Sequence, residues 1–418
     1  MPFHCLTQGR QAGKIYSRGS GLWLSSEGKA GETDVADTPN TPANDGSGYM
    51  LYHSIGQYPG KSRDMSAALA AFAECWGAPN DEQWGYALGQ RQRFIDLWSQ
   101  LLKAPSASLT TTENVTSALA ALIMALPRED LEGRVVLVAG DCFPSLHFLL
   151  TGLAERYGFE LRTVQLREGA NWVEDEDVIA AWGPEVGLAL LTWVSSTSSH
   201  RCDLASLVAH GRKQGSLIGV DITQAAGLID YDCMAVAADF SISTSLKWMC
   251  GSPGGGILQV MPDVIARCQP SLRGWFSQDN IFSWDINAFS YAPDIRRFDN
   301  GTPSVMACVA SVPALEWHAA QDWNAQLVKN RALSDVIIAA ADEAGFDLAS
   351  PRDAAQRGGS VMVRLPDADK AQALLGRLRD ASVFADARGA IFRCSPGFMT
   401  TQAGVERLAV ALADTRAA

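Results

Sequence analysis

Six short apolar runs in the middle of the chain restrict what it can fold into. They span six to nine residues each and lie at residues 135–140, 161–166, 186–194, 216–222, 239–245 and 255–260. Between several of them, apolar residues recur at helical spacing, as in residues 144–158 and 203–215. Strands that are apolar on both faces and alternate with helices are typical of a mostly parallel sheet that helices cover on both sides.

The pattern changes toward both ends of the 418-residue chain. Residues 24–48 are rich in Gly, Ser, Thr, Asp and Pro and show no apolar period, so we predict that residues 1–48 form an N-terminal arm that is at least partly flexible. Residues 49–318 form the predicted large α/β domain. After it, three helical segments alternate with two strand-like ones, which predicts a smaller α+β domain at residues 319–418.

Charge and composition argue against several kinds of function. A net charge of −12 and a pI near 5.0 disfavour nucleic acid or an anionic membrane as partners. The chain has no apolar run of about 18 residues that could span a bilayer, and no apolar signal segment at its start. Its nine cysteines are scattered without a metal-ligand or disulfide spacing. We therefore expect a cytoplasmic protein with reduced thiols and no metal site.

Two charged residues follow consecutive strand-like runs. Asp221 ends the stretch SLIGVD, and Lys247, one of eight lysines, stands between a hydroxyl-rich run and a glycine cluster. The carboxyl ends of parallel strands meet at one edge of the sheet, where open α/β sheets bind their ligands. A buried carboxylate needs a positive partner, because an unpaired buried charge costs several kcal/mol. The two residues therefore predict either a structural ion pair or a functional site.

The functional interpretation is a site for pyridoxal phosphate. In such a site a lysine amine forms a Schiff base with the cofactor aldehyde, and an aspartate keeps the pyridine nitrogen protonated. The cofactor phosphate needs hydroxyl and backbone N–H donors, preferably at a helix N-terminus. Residues 110–114 (TTTEN) open a helical stretch and can supply such donors, and Thr244 and Ser245 add hydroxyls beside the lysine. Taken alone, TTTEN is more often only a helix cap.

In this order, these elements resemble a class V, fold-type I pyridoxal phosphate enzyme, and within that class the kynureninase branch. The resemblance covers residues 49–415 and rests on ADFSISTSLKWMCGSPGGG, VDITQAAG, TTTEN, RGWFSQ and RRFDNGTPS. It implies a large domain with a mostly parallel seven-stranded sheet between helices, plus a smaller C-terminal α+β domain. It also implies an enzyme that acts on an α-amino acid, and a homodimer in which the partner subunit completes the active site.

The resemblance assigns roles to individual residues. It makes Lys247 and Asp221 the catalytic residues. The residues expected to bind the cofactor are Thr112, Glu113, Phe143, Asp221, Gln224, Thr244, Ser245, Lys247, Trp275 and Thr302. Phe143 would stack on the ring, and Thr302 would reach the phosphate of the neighbouring subunit.

Substrate binding is assigned to two other segments. His53 and Ser54 belong to LYHSIG, which resembles a pocket-lining segment, and Arg393 in DARGAIFRCSP would bind the substrate α-carboxylate. Arg388 in the same segment either supports Arg393 or pairs with Asp386. Two serines, Ser195 and Ser196, fall where relatives carry polar side chains near the ring oxygen.

The chain departs from kynureninases at four positions. They carry a tyrosine directly before the lysine, where this chain has Leu246, and a histidine two residues after the GWF phenylalanine, where it has Gln278. Gln224 replaces their histidine after the aspartate, and Leu146 stands where they tend to be acidic. Leucine cannot shuttle protons as a phenol can. We therefore expect kynureninase-like side-chain cleavage, by a hydrolase or lyase, of a substrate other than kynurenine.

Other reactions stay open at the level of the sequence. A class V aminotransferase or an amino-acid epimerase begins in the same way, because the substrate amine displaces Lys247 and the freed lysine takes the α-proton. A relative that binds the cofactor without turnover is an alternative from another class. A cysteine desulfurase is not expected, because residues 378–390 lack the nucleophilic cysteine that such enzymes need.

Overall fold

The computed structural model of the protein describes residues 45–105 and 107–417. Residues 1–44 of the predicted arm lie outside the described residues. The strands are β1 (Leu109–Thr112), β2 (Val135–Ala139), β3 (Glu160–Val164), β4 (Val186–Thr192), β5 (Leu217–Asp221), β6 (Phe240–Thr244), β7 (Gly256–Val260), β8 (Asp347–Leu348), β9 (Val361–Arg364), β10 (Asp386–Arg388) and β11 (Ile391–Cys394).

The helices alternate with these strands. They are α1 (Lys61–Gly77), α2 (Gln83–Leu102), α3 (Val115–Ile123), α4 (Pro144–Tyr157), α5 (Asp175–Ala180), α6 (Leu204–Gln214), α7 (Cys233–Val236), α8 (Pro262–Arg267), α9 (Met306–Ala319), α10 (Trp323–Glu343), α11 (Ala368–Asp380) and α12 (Gln402–Ala417). Short 3-10 helices occur at Arg128–Asp130, Trp275–Ser277 and Ile295–Phe298.

Seven strands form one sheet in the order β1-β7-β6-β5-β4-β2-β3. Neighbours from β3 to β6 pair in parallel, and β7 pairs antiparallel with both β6 and β1. The mostly parallel seven-stranded sheet implied by the resemblance is therefore confirmed. Six of its strands coincide with the six predicted runs, and their ends lie within two residues of the predicted ones.

Strand β1 is the one strand of this sheet that the apolar pattern does not predict. Its sequence is LTTT, so it carries a single apolar side chain. The strand joins the sheet by pairing Leu109 with Gln259 and Thr112 with Gly256 of β7. Threonine suits a strand because its branched Cβ restricts the side chain to conformations that the extended backbone accepts. The pairing makes residues 109–112 a strand that ends where the predicted phosphate loop begins.

Alternation along the central strands divides the buried side chains between two layers. Val135 and Leu137 of β2 belong to a cluster that includes residues of α2 and α6, whereas Val136 and Val138 belong to one that includes residues of α3 and α4. Successive side chains of a strand point to opposite faces of the sheet. Helices therefore cover both faces, which is why central strands such as β2 (VVLVA) and β4 (VGLALLT) are nearly continuous apolar runs in the sequence.

A second sheet lies in the C-terminal part of the chain. Its four strands have the order β10-β11-β9-β8 and are antiparallel throughout. Buried residues of this sheet pack with α10, α11 and α12 in a separate apolar cluster. Single bridges from Tyr49 to Phe384 and from Leu51 to Ser395 attach the first described segment to it. The expected α+β unit is present, while the boundaries at residues 48 and 318 stay predictions.

The described part of the chain has further properties that bear on function. None of its helices is long and apolar enough to cross a membrane. No three of its His, Cys, Asp or Glu side chains are grouped so that they could hold a metal ion. Its eight cysteines are free thiols.

Candidate active site

Lys247 stands three residues beyond the carboxyl end of β6, in a turn that backbone hydrogen bonds fix. Cys250 N–H donates to the Lys247 carbonyl (2.8 Å), and Gly251 N–H donates to the carbonyl of Ser245 (2.6 Å). The next residue, Trp248, is fully buried and stacks on Tyr52 with ring centroids 5.5 Å apart. The backbone of the lysine is therefore held rigidly, and its side chain is free to reach the sheet edge.

The predicted pocket segment, residues 51–56, packs directly behind this turn. Gly56 N–H donates to the Leu246 carbonyl (2.8 Å). A Cβ added to Gly56 would lie 1.8 Å from the Lys247 carbonyl oxygen, so only glycine permits this approach. Ser54 is half-buried in the turn of the same segment, where its N–H donates to the Leu51 carbonyl (2.8 Å). The fold thus brings LYHSIG next to the lysine.

The Lys247 ammonium lies in a mixed electrostatic environment. Its Nζ is 5.3 Å from the centroid of the Phe143 ring, at the position that precedes α4. Removal from water lowers the pKa of Lys247 to about 8 against the favourable charge of Asp221, and the positive charges of Arg388 and Arg393 lower it further. The structure therefore places Phe143, Asp221 and the C-terminal arginines around one amine.

Asp221 is the last residue of β5 and is buried. Its Oδ1 accepts a hydrogen bond from Thr223 N–H (2.9 Å). Burial raises the pKa of Asp221, and the nearby Lys247 opposes that rise. Among the described residues, no ion pair within hydrogen-bonding distance joins the two side chains. The absence of a direct contact argues against the structural ion pair.

Buried hydroxyls near this edge lack hydrogen-bond partners. Among them are Thr192 Oγ1, on the residue that pairs with Asp221 across β4 and β5, and Ser196 Oγ in the loop that follows β4. In contrast, Ser195 Oγ lies 2.9 Å from Thr197 Oγ1. A buried hydroxyl without a partner costs free energy, and native proteins usually satisfy such groups with a ligand or water. The orphan hydroxyls therefore fit a polar ligand beside Asp221.

The predicted phosphate loop lies between the end of β1 and the start of α3. Asn114 is the N-cap, and its side chain accepts from Ser117 N–H (2.9 Å). Thr112 and Glu113 precede it, next to the free N–H groups of the helix, which favour an anion. Across the sheet, Gly256 pairs with both Thr112 and Thr244. The structure thus brings both threonines to neighbouring positions at the lysine end of the sheet.

Two predicted cofactor contacts are already engaged within the protein. Ser245 Oγ accepts a hydrogen bond from Trp98 Nε1 (3.2 Å), and Gln224 Nε2 donates to the His53 carbonyl (3.1 Å). Neither partner was predictable from spacing along the chain. The positions agree with the expected site, and the cofactor contacts of these two side chains stay predictions.

Trp275 and Thr302 belong to segments outside the seven-stranded sheet. Trp275 lies in a 3-10 helix, with its ring edge-on to Phe276 at a centroid distance of 4.5 Å. Thr302 is exposed and lines a depression of 940 Å³ together with Thr112 and Glu113. Thr302 and the phosphate loop therefore border the same depression, and the contacts of Trp275 and Thr302 with a phosphate stay predictions.

Arg393 of β11 is buried and held by a carboxylate that the sequence analysis did not assign to it. Asp386 accepts hydrogen bonds from Arg393 Nε (2.7 Å) and from Arg393 Nη2, so the two side chains form a side-on, bidentate pair. The pairing lowers the pKa of Asp386 well below its usual range, against the effect of burial. A guanidinium has five N–H donors, so three stay available for an anion approaching the other edge.

His53 is buried behind this pair and does not face an open pocket. Its Nε2 donates to Asp386 Oδ1 (3.0 Å), and its Nδ1 lies 2.6 Å from Ser395 Oγ, which in turn lies 2.6 Å from Ser360 Oγ. Burial lowers the pKa of His53, which favours the neutral ring with the proton on Nε2. His53 therefore contacts the partner of Arg393, and its predicted contact with substrate stays a prediction.

Arg388 lies two residues after Asp386 on β10, on the same face of the strand. It is exposed and has no ion-pair partner among the described residues. Partial burial and the charge of Arg393 lower the pKa of Arg388. Of the two roles left open for Arg388, a salt bridge with Asp386 is not formed, because Asp386 is occupied by Arg393 and His53.

The sequence reasoning also missed a buried pair outside this edge. Arg91 of α2 donates to Asp299, which precedes the predicted Thr302 segment (Nη2 to Oδ1, 2.7 Å). The RRFDNGTPS motif contained the aspartate, but nothing in the sequence pairs it with a residue 208 positions away. The sequence signal was Arg91 itself, an arginine within a helical pattern. The structure shows that its position is buried.

Comparison with solved structures identifies the fold. The chain superposes on a cysteine desulfurase from Thermococcus onnurineus NA1 with a TM-score of 0.77, covering 88% of this chain and 94% of that one at 16% identity. The cystine C–S lyase C-DES gives the same TM-score at 17% identity and covers 90% of this chain and 99% of its own. At these identities the likeness establishes the fold, which is that of fold-type I pyridoxal phosphate enzymes.

Sequence comparison then identifies the family. The family model "Aminotransferase class-V" matches residues 96–404, so the chain belongs to this family of pyridoxal phosphate-dependent enzymes. It is 30% identical to a kynureninase from Deinococcus radiodurans over 353 residues, 78% of this chain and 80% of that protein. It is 28% identical to isopenicillin N epimerase from Streptomyces clavuligerus over 326 residues, 75% of this chain and 81% of the relative. The predicted family, cofactor and enzyme class are confirmed.

The lysine environment leads to a first prediction. In the cofactor-free protein, the extent of Lys247 acetylation by limiting acetic anhydride should rise with pH and reach its midpoint near pH 8, because the pKa of Lys247 is about 8. An ordinary lysine has a pKa of about 10.4. Asp221→Asn removes the charge that raises this pKa, so the midpoint should move to lower pH. Peptide mass spectrometry measures the acetylated fraction, with exposed Lys213 as internal control. A midpoint above about pH 10, or one that Asp221→Asn leaves in place, would contradict the described environment.

Proposed function

We propose that the protein acts on an α-amino acid, that Lys247 holds pyridoxal phosphate through its Nζ, and that the reaction is a kynureninase-like cleavage of the substrate side chain, hydrolytic or lyase in type. The observation that carries this proposal is the convergence of Lys247, Asp221 and Phe143 at one sheet edge without a direct ion pair between the charged groups. A structural pair of charges would be in contact, whereas a cofactor site needs space between them.

The residues of the chain have separable tasks in this reaction. When bound, the cofactor withdraws electrons from the bonds to the substrate Cα. Asp221 would hold the ring nitrogen in its protonated form, because a buried carboxylate favours a positive counter-charge. Lys247 Nζ would hold the cofactor and, as a free amine, would take the α-proton of the substrate. Its pKa of about 8 suits this task, because a general base works best near the operating pH.

Arg393 would bind the substrate α-carboxylate through the three N–H donors that Asp386 leaves free. Asp386 binds the Arg393 guanidinium side-on, and His53 in turn binds Asp386. The guanidinium is therefore held in one orientation. In this arrangement His53 acts on the substrate through Arg393. Arg388 adds a second positive charge on the same side of the site, which further favours an anionic group there.

Several observations support a substrate other than kynurenine. The position of the family tyrosine is taken by Leu246, whose carbonyl packs against Gly56. The two tyrosines of the neighbouring pocket segment do not supply a replacement phenol: the hydroxyl of Tyr49 donates to the Ile55 carbonyl and that of Tyr52 to the Gln57 carbonyl. Gln278 donates to the Trp275 carbonyl (3.4 Å) and cannot act as a proton donor of histidine type.

A second candidate is amino-acid epimerisation, which the similarity to isopenicillin N epimerase favours. Loss of the phenol also suits it, since epimerisation needs proton exchange at Cα alone. Two further candidates are a class V aminotransferase and a relative that binds the cofactor without turnover. For each of the enzymatic reactions we propose a cytoplasmic homodimer in which Trp275 contacts the cofactor phosphate and Thr302 reaches the phosphate held by the partner subunit.

The proposed role of Lys247 is tested with a panel of amino acids that includes kynurenine. Lys247→Ala should lose the visible absorption band of the cofactor, and turnover should fall by at least about a hundredfold, the contribution of a general base. Spectral change and product mass spectrometry measure both effects, with Lys213→Ala as control. Purified wild-type protein without the band would contradict the cofactor role, and release of anthranilate from kynurenine would contradict the substrate assignment.

The role of Arg393 is tested by kinetics on any substrate that the panel reveals. Arg393→Ala should raise KM by about tenfold to a hundredfold, because charge-assisted hydrogen bonds to the carboxylate are lost. Arg393→Lys should have a smaller effect, since it leaves a counter-charge for Asp386. Arg364→Ala, on the exposed face of the neighbouring strand, serves as control. An unchanged KM in Arg393→Ala would place the carboxylate elsewhere.

A further inference from the structure

A buried ion pair contacts β1, the strand that leads into the predicted phosphate loop. Arg91 of α2 and Asp299, directly after the 3-10 helix Ile295–Phe298, are each only 9% exposed. Their Nη2 and Oδ1 atoms are 2.7 Å apart. Removing two charges from water is costly, and a buried pair gains little stability over apolar residues of the same volume. A pair of this kind therefore raises the question of what it positions.

On one side the pair holds β1. Thr110 Oγ1 donates to the same Asp299 Oδ1 (2.6 Å) and accepts from Arg91 Nη2 (2.8 Å). Arg91 Nε donates to Thr111 Oγ1 (2.9 Å). The guanidinium thus fixes two consecutive hydroxyls of the strand, and the next residue, Thr112, begins the loop that leads into α3.

On the other side the pair holds the two segments outside the sheet. Ser277 Oγ donates to the Asp299 carbonyl and accepts from Gly274 N–H (2.9 Å), which spans the turn that carries Trp275. Phe276 N–H donates to the Asn300 carbonyl (3.3 Å). Asp299 is therefore tied to the turn of Trp275 by its backbone and to β1 by its side chain.

We propose that Arg91 and Asp299 are positioning residues for the cofactor phosphate. Within one chain they hold the loop of Thr112 and Glu113, which would bind the phosphate of that chain, and the segments of Trp275 and Thr302, of which Thr302 would reach the phosphate of the partner subunit. The shared depression supports this, because Arg91, Thr112, Asp299 and Thr302 all line it. The inference rests on the proposed function, which assigns the phosphate contacts, and adds the residues that hold those contacts in place.

The test compares two forms of the cofactor that differ only in the phosphate. Full-length protein is reconstituted with pyridoxal phosphate or with pyridoxal, and both dissociation constants are measured from the visible band. In Asp299→Asn the constant for pyridoxal phosphate should rise by about tenfold or more, the value of one charge-assisted hydrogen bond, while that for pyridoxal should change far less. A merely structural pair would weaken both ligands alike.

Matched variants keep the test decisive. Arg93 lies on the same helix as Arg91, and its ion pair with Glu316 is exposed. Arg93→Gln should therefore leave both dissociation constants unchanged. Ser277→Ala removes the hydroxyl that links Asp299 to the Trp275 turn and to Gly274 N–H, while the Arg91–Asp299 pair stays in place. It should lower the preference for the phosphate form even if Asp299→Asn fails to fold. An unchanged ratio of the two constants in Ser277→Ala and in any folded Asp299→Asn protein would overturn the inference. Wild-type protein that binds both forms equally would overturn the phosphate contacts of the proposed function itself.

Discussion

The site depends on two charges that are removed from water and kept apart. Asp221 and Lys247 stand at the ends of adjacent parallel strands, and a direct ion pair between them is absent from the described residues. Burial raises the pKa of the carboxyl and lowers that of the amine, so each group is prepared for a partner that the chain itself does not supply. A protonated pyridine ring with an aldehyde satisfies both demands at once.

The rest of the structure serves the rigidity of these positions. Gly56 lets the pocket segment pack against the turn that carries Lys247. Fully buried Trp248 directly follows Lys247 and anchors it. Arg393 is fixed by Asp386 in the same way, through a pair that uses only part of its donors. In each case a polar group is oriented by neighbours while one face is kept free, which is what preorganised binding of a charged ligand requires.

Much of the fold was predictable because burial on both faces leaves a clear trace in the sequence. Six strands appeared in the sequence as short runs with apolar residues on one or both faces, but β1 was missed because LTTT has a single apolar residue and becomes a strand only by pairing with β7. Motif positions located Lys247 and Asp221 at one edge. Side-chain partners such as Trp98 for Ser245, or Arg91 for Asp299, could not be predicted, since they join residues that are distant in the chain and meet only after folding.

The central claim is that the Lys247 amine carries the cofactor. The most direct measurement is borohydride reduction of the purified holoenzyme, followed by proteolysis and mass spectrometry of the lysine peptides. Our account predicts a phosphopyridoxyl group on the peptide that contains Lys247 and on no other of the eight lysines. A label on a different lysine, or none after reduction, would contradict it.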